Sequence, residues 1–148
     1  MTGIRGRAAV AGFTLIEIIV VILVLGLLAG LVAPNVMRHV GTARDATARS
    51  QIGLIGTALD AYRLDNGDYP TTEQGLAALV APPTLAPVPP RWRGPYLQKT
   101  VVPLDPWGRP YVYRFPGVQR TWSYDLSSLG RDGREGGEGE DADITNWD

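Results

Sequence analysis

The sequence predicts an α+β protein, a long N-terminal α-helix packed against a small antiparallel β-sheet. Three observations carry this expectation. Residues 13–33 (FTLIEIIVVILVLGLLAGLVA) form an almost wholly apolar run of 21 residues. Beyond it the pattern turns amphipathic, with Ile52, Ile55, Leu59 and Tyr62 at spacings of 3, 4 and 3, which is one face of an α-helix. Finally, Tyr111-Val112-Tyr113-Arg114-Phe115 and Thr121-Trp122-Ser123-Tyr124-Asp125-Leu126 are strand-forming segments on either side of Gly117, the pattern of a hairpin.

Composition narrows what such a chain can do. Its 148 residues allow one domain of ordinary size. Charged residues are 20% and the net charge is −1, which argues against a nucleic-acid binder. There is no cysteine, hence no disulfide framework, cysteine zinc site or cysteine nucleophile. His39 is the one histidine and Lys99 the one lysine. A histidine-centred triad has little to work with, and neither a P-loop nor a G-x-S-x-G elbow occurs. These absences point to a protein that is not an enzyme. No repeat of 20–50 residues is visible.

In chain order, residues 1–12 are a short leader carrying Arg5 and Arg7 and no acid. As a helix the run 13–33 covers roughly 30 Å, the thickness of a bilayer's hydrocarbon core. Basic residues before it keep the N-terminus cytoplasmic and send the C-terminal bulk across. An ordinary signal peptide fits poorly, because its apolar region is shorter and ends in an A-x-A-like site. Glu17 stands inside the run. It reads either as an interfacial acid favoured by the helix N-terminal dipole or as a charge seeking a partner within an assembly. Gly26 and Gly30, four apart, permit close helix approach, a weak signal by itself.

Residues 34–66 extend the helix, and Pro34 is expected to kink or locally melt it. Arg44, Asp45, Arg49, Asp60 and Arg63 supply its polar faces. Asn66-Gly67 ends it, glycine taking the left-handed position readily. In the remaining region, 67–148, Thr71-x-x-Gln74 reads as a capping box opening a short helix through about Leu79. Residues 81–95 hold six prolines and suit a stiff extended loop. Within it Arg91-Trp92-Arg93 reads as a packed tryptophan between solvated guanidinium groups rather than as a binding patch. Asp105-Pro106-Trp107-Gly108 reads as a turn. From Asp132 onward the tail holds seven acids and one base, Arg134. It is either a solvated, disordered terminus or a Gly-rich loop that folds carbonyls and carboxylates around a hard cation. No EF-hand ladder is present.

Gly12-Phe13-Thr14-Leu15-Ile16-Glu17, a short basic leader before it and an apolar run after it, resembles the processing signal of the type IV pilin superfamily. That resemblance implies cleavage between Gly12 and Phe13 by a prepilin peptidase, N-methylation of Phe13, and pairing of Glu17 with the Phe13 amine of a neighbouring subunit. Three further blocks resemble the major pseudopilin family of type II secretion systems. They are Leu64-Asp65-Asn66-Gly67-Asp68-Tyr69-Pro70-Thr71-Thr72-Glu73-Gln74-Gly75-Leu76, Asp105-Pro106-Trp107-Gly108, and Ser128-Leu129-Gly130 leading to Asp132-Gly133 and Asp143-Ile144-Thr145-Asn146-Trp147. The resemblance implies a pilin-like fold with a C-terminal metal-binding loop. It implies structural calcium held by the Leu129 carbonyl, Asp132 and Asp143, with Asp141 or a glycine carbonyl completing the shell. It further implies a homo-oligomeric helical filament in the periplasm, inner-membrane anchoring by a single pass, and minor pseudopilins and an inner-membrane platform as partners. The filament would drive export of folded proteins across the outer membrane. The alternative is a type IV or competence-type pilin of a surface fibre.

Overall fold

The structure, a computed structural model, describes residues 12–148, with the side chains of residues 32–39 outside the described set. The first eleven residues of the leader therefore lie outside the description. The chain divides into two compact units, Met1–His39 and Val40–Asp148.

Helix α1 spans Leu15–Asn66. Thr14 caps its start: the Thr14 Oγ1 accepts the Glu17 N–H at 3.3 Å, and the Thr14 carbonyl accepts the Ile18 N–H at 3.3 Å. A threonine hydroxyl there satisfies a donor that has no partner inside the helix. The helical backbone continues through position 34; the Pro34 ring lies outside the described side chains. In the first unit every large apolar side chain from Phe13 to Leu31 is exposed. Among the described residues no helix is long and apolar enough to cross a membrane. The expected span over 13–33 thus begins at Leu15 as helix, and its last two residues fall among the undescribed side chains.

In the second unit the stripe read from the sequence is core. Ile52, Ile55, Leu59 and Tyr62 are buried, joined by Ala48 and Ala58. Arg44, Arg49, Asp60 and Arg63 are exposed on the other faces. Gly67 ends the helix with φ +93°, and its N–H meets the Arg63 carbonyl at 2.7 Å, as a left-handed cap requires.

The Thr71–Gln74 box forms but does different work from that expected. The Thr71 N–H donates to Gln74 Oε1 at 3.0 Å and the Gln74 N–H to Thr71 Oγ1 at 3.2 Å. These bonds close a turn, and the helix after it is a single 3₁₀ segment, Leu76–Leu79. Gly75 intervenes with φ +59°, a conformation that interrupts α-helical geometry. The buried Gln74 amide then donates to the carbonyls of Leu85 and Pro87 at 2.8 and 2.9 Å, fastening the Pro-rich loop.

The sheet has three antiparallel strands in spatial order β1-β2-β3: β1 (Val112–Arg114), β2 (Asp125–Ser128) and β3 (Ile144–Thr145). Val112 pairs with Ser127, Tyr113 with Leu126 and Arg114 with Asp125; Ser128 pairs with Ile144. The hairpin expected around Gly117 exists, but its second strand starts at Asp125 rather than Thr121. The Asp125 carboxylate explains the shift. It accepts the N–H groups of Val118, Gln119 and Arg120 at 2.6, 2.8 and 3.0 Å, which holds residues 118–120 in a loop. Strand β3 has too short a run to be read from pattern. Asn146 extends its pairing, accepting the Leu126 N–H at 2.9 Å and donating to the Tyr124 carbonyl at 3.1 Å.

Candidate functional site

Two places carry the residues singled out by sequence. The first is the start of α1. Phe13 is 80% exposed and precedes the Thr14 cap, while Glu17 occupies the first helical turn. A carboxylate in that turn faces the positive end of the helix dipole. Among the described residues Glu17 forms no ion pair. Gly12 and Phe13 are adjacent to this cap, outside the helix.

The second is the loop from the end of β2 to β3. It is folded, with turns through 130–136, a 3₁₀ segment at Gly139–Asp141 and then β3. The disordered reading of the tail is therefore set aside. Gly130, Gly133, Gly136, Gly137 and Gly139 all have positive φ, so the chain reverses repeatedly where only glycine does so without strain. The Leu129 carbonyl accepts the Gly133 N–H at 3.1 Å. Asp132 Oδ1 accepts the Arg134 N–H at 3.0 Å. Asp143 Oδ2 accepts the Gly136 N–H at 2.9 Å, while its Oδ1 is buried with no hydrogen-bond partner. A buried carboxylate oxygen left alone costs free energy.

Asp141 is engaged elsewhere. Both its oxygens meet Arg131, at 2.9 Å to Nε and 3.1 Å to Nη2, and Glu140 adds a longer contact at 3.5 Å. The Asp141 hydrogen bonds, and next its charge, raise the Arg131 pKa above the ordinary arginine value. Both side chains are substantially exposed, so solvent screens the pair. Among the described residues no three His, Cys, Asp or Glu side chains gather in a metal-holding cluster. Of the four expected ligands, Leu129 and Asp132 lie on one arm of the loop and Asp143 on the other, and Asp141 faces arginine.

The family model for the type II secretion system (T2SS), protein G, matches residues 35–147, and the prokaryotic N-terminal methylation motif matches residues 7–33. The chain belongs to the type II secretion system protein G family. It is 52% identical over 143 residues to the type II secretion system core protein G of Pseudomonas aeruginosa, covering 96% of this chain and 98% of that protein. The core protein G of Vibrio cholerae is 48% identical over 137 residues, covering 92% and 90%. Among solved structures, the major pseudopilin from the type 2 secretion system of enterohaemorrhagic Escherichia coli superposes with a TM-score of 0.64 at 40% identity, covering 75% of this chain and 88% of that one.

The protein is thus a structural subunit of the type II secretion pseudopilus, and this pseudopilin family is not enzymatic. The remaining sequence candidates take structural places in it. Trp92 is half-buried, donating its indole N–H to the Ala78 carbonyl at 2.8 Å and meeting Tyr96 edge-on, with Arg91 and Arg93 exposed beside it. The Asp105–Gly108 turn closes at 2.9 Å, with Gly108 at φ +84°. Sequence reasoning missed Thr14, although a threonine three residues before Glu17 is the capping-box signature. It also missed Gln74 as a loop anchor and Asp125 as a loop acceptor, for which no local pattern exists.

Proposed function

We propose that the pseudopilin is cut between Gly12 and Phe13 by a prepilin peptidase, N-methylated at Phe13, and polymerised into a periplasmic helical filament. The observation that carries this reading is the exposed apolar surface from Phe13 to Leu31, headed by the capped turn that holds Glu17. So much contiguous apolar surface is covered by something in any stable state. Before assembly that cover is the bacterial inner membrane, crossed once with the C-terminal region in the periplasm. After assembly it is the same segment of neighbouring subunits. Head-to-tail contacts that do not close into a ring build a helical fibre.

Inside that apolar packing Glu17 has one natural partner, the ammonium of a neighbouring Phe13. Removing one member of such a buried pair costs about 3–5 kcal/mol. The filament, with minor pseudopilins and an inner-membrane platform as partners, drives folded proteins across the outer membrane.

The C-terminal loop fits structural calcium. The supporting feature is the unpartnered, buried Asp143 Oδ1, with the Leu129 carbonyl and Asp132 as further oxygens. Asp141 stays with Arg131. Calcium, when bound, would supply a divalent charge that cross-links carboxylate and carbonyl oxygens in a chain that has no cysteine to form a disulfide.

The test is mass spectrometry of the chain purified after co-expression with its prepilin peptidase. The expected mass is that of a chain starting at methylated Phe13. An intact Met1 chain overturns the processing reading. In the same cells Glu17→Ala is expected to abolish crosslinked multimers; multimers at wild-type abundance overturn the charge pairing.

A further inference from the structure

The turn at 105–109 lies far in sequence from the C-terminal loop yet grips it at both sides of Leu129. Asp105 is buried. Its Oδ1 accepts the N–H groups of Trp107 and Arg109 at 3.1 and 2.8 Å, and its own N–H donates to the Arg109 carbonyl at 2.8 Å. Its Oδ2 accepts the hydroxyl of Ser128 at 2.7 Å. Ser128 is fully buried at the end of β2. One carboxylate therefore fixes the Arg109 backbone and the residue before Leu129 together.

The Arg109 side chain holds the other side. Its Nη1 donates to the Gly130 carbonyl at 2.9 Å and to the Arg131 carbonyl at 2.7 Å. The chain then passes close over the guanidinium at Gly133, where φ is +71° and an added Cβ would lie 2.6 Å from Arg109 Nε. The carbonyls of Gly130 and Arg131 are thereby turned to the arginine. The Leu129 carbonyl, between two fixed residues, is left with the 3.1 Å bond from Gly133.

We propose that Arg109 is a positioning residue of the cation loop, orienting the 129–132 backbone by capturing the two carbonyls that the cation does not use. This rests on the calcium reading above. A guanidinium near a cation repels it, so its contribution is geometric and works against its charge. That sign separates the two effects. Removing a positive neighbour alone tightens calcium binding, whereas releasing two carbonyls and loosening the loop weakens it. Outer-shell partners of metal sites commonly set affinity in this way.

The experiment is calcium titration by calorimetry on the full chain in detergent micelles, with thermal unfolding in calcium and in EGTA. Wild type is expected to bind calcium and to melt lower in EGTA, and Asp143→Asn to lose both effects. Arg109→Ala is expected to weaken binding roughly tenfold to a hundredfold, with Arg109→Lys intermediate because one ammonium still reaches a carbonyl. If Arg109→Ala does not fold, Arg109→Lys carries the comparison alone and must be weaker than wild type. Binding by the arginine variants equal to or tighter than wild type, while Asp143→Asn loses it, overturns the positioning role and leaves the calcium reading standing. A wild-type chain that binds no calcium overturns both.

Discussion

Asp125 shows how one side chain sets the course of a whole connection. The residue is 9% exposed, and its carboxylate accepts three consecutive backbone N–H groups from the β1–β2 loop. Gly117 makes this possible, since a Cβ there would press on the Arg120 carbonyl and the Asp125 carboxyl carbon, each at 2.8 Å. Hydrogen bonds to a charged acceptor contribute more than neutral ones, and orphaned buried donors cost the most. Asp125→Ala is expected to destabilise the fold by about 3 kcal/mol, with Asp125→Asn intermediate. Urea unfolding measures both. Equal midpoints for wild type and Asp125→Ala would show that water replaces the carboxylate without loss.

At the scale of the element, α1 carries two different surfaces in its two units. From Phe13 to Leu31 its large apolar side chains are all exposed; from Ala48 to Tyr62 one stripe is buried. Leu59 is fully buried in that stripe, whereas Leu64 is 87% exposed near the helix end. Leu59→Ala is expected to cost about 2–5 kcal/mol through lost contacts and the cavity left behind. Leu64→Ala should stay within about 0.5 kcal/mol of wild type. Thermal or denaturant unfolding of the two variants side by side checks the contrast, and equal losses would refute the assignment of faces. The helix, its buried stripe, its Gly67 stop and the Asp105–Gly108 turn were legible in the sequence, because each depends on residues within a few positions of one another. The short helix ending at Leu79 was legible as well, though not its 3₁₀ form, which follows the positive φ of Gly75. The start of β2 and strand β3 were not legible. Each is decided by side-chain contacts outside its own pattern: Asp125 with residues 118–120, Asn146 with Tyr124 and Leu126. The loop that holds Leu129, Asp132 and Asp143 was legible as a Gly-rich acidic stretch. The diversion of Asp141 to Arg131 was not, since nothing in composition says which acid an arginine ten residues earlier will take.

At the scale of the whole molecule, the globular unit is joined through tyrosine. Tyr69 meets Tyr124 and Phe115 edge-on at 4.9 and 5.3 Å, and Tyr124 meets Tyr113 at 6.0 Å. These rings connect the turn after α1, strand β1 and the approach to β2. Their hydroxyls are tied inward: Tyr113 donates to the Pro70 carbonyl at 2.7 Å, Tyr111 to Gln51 on α1, and Tyr69 to Asp60 on α1 at 2.8 Å. Burial raises the pKa of Tyr124 to about 12, helped by the charge of Asp60. Burial likewise raises Tyr113, with neighbouring tyrosines adding to it, Tyr111, with Asp105 adding, and Tyr62, with Tyr96 adding. A tyrosine whose folded pKa lies above its unfolded value of 10.0 keeps its proton more firmly in the native state. The folded chain then binds more protons than the unfolded one, so stability falls as pH rises. The contribution is complete below pH 10 and is lost as pH climbs through about 12. Because several rings share one core, they are expected to ionise together with unfolding. Titrated from neutral to strongly alkaline pH, the tyrosinate absorbance of Tyr62, Tyr111, Tyr113 and Tyr124 should be withheld until circular dichroism begins to fall, and the two signals should then change in one step. Ionisation of these four tyrosines near pH 10, with the dichroism unchanged, would mean that their rings are open to water and that the aromatic cluster does not hold the unit together.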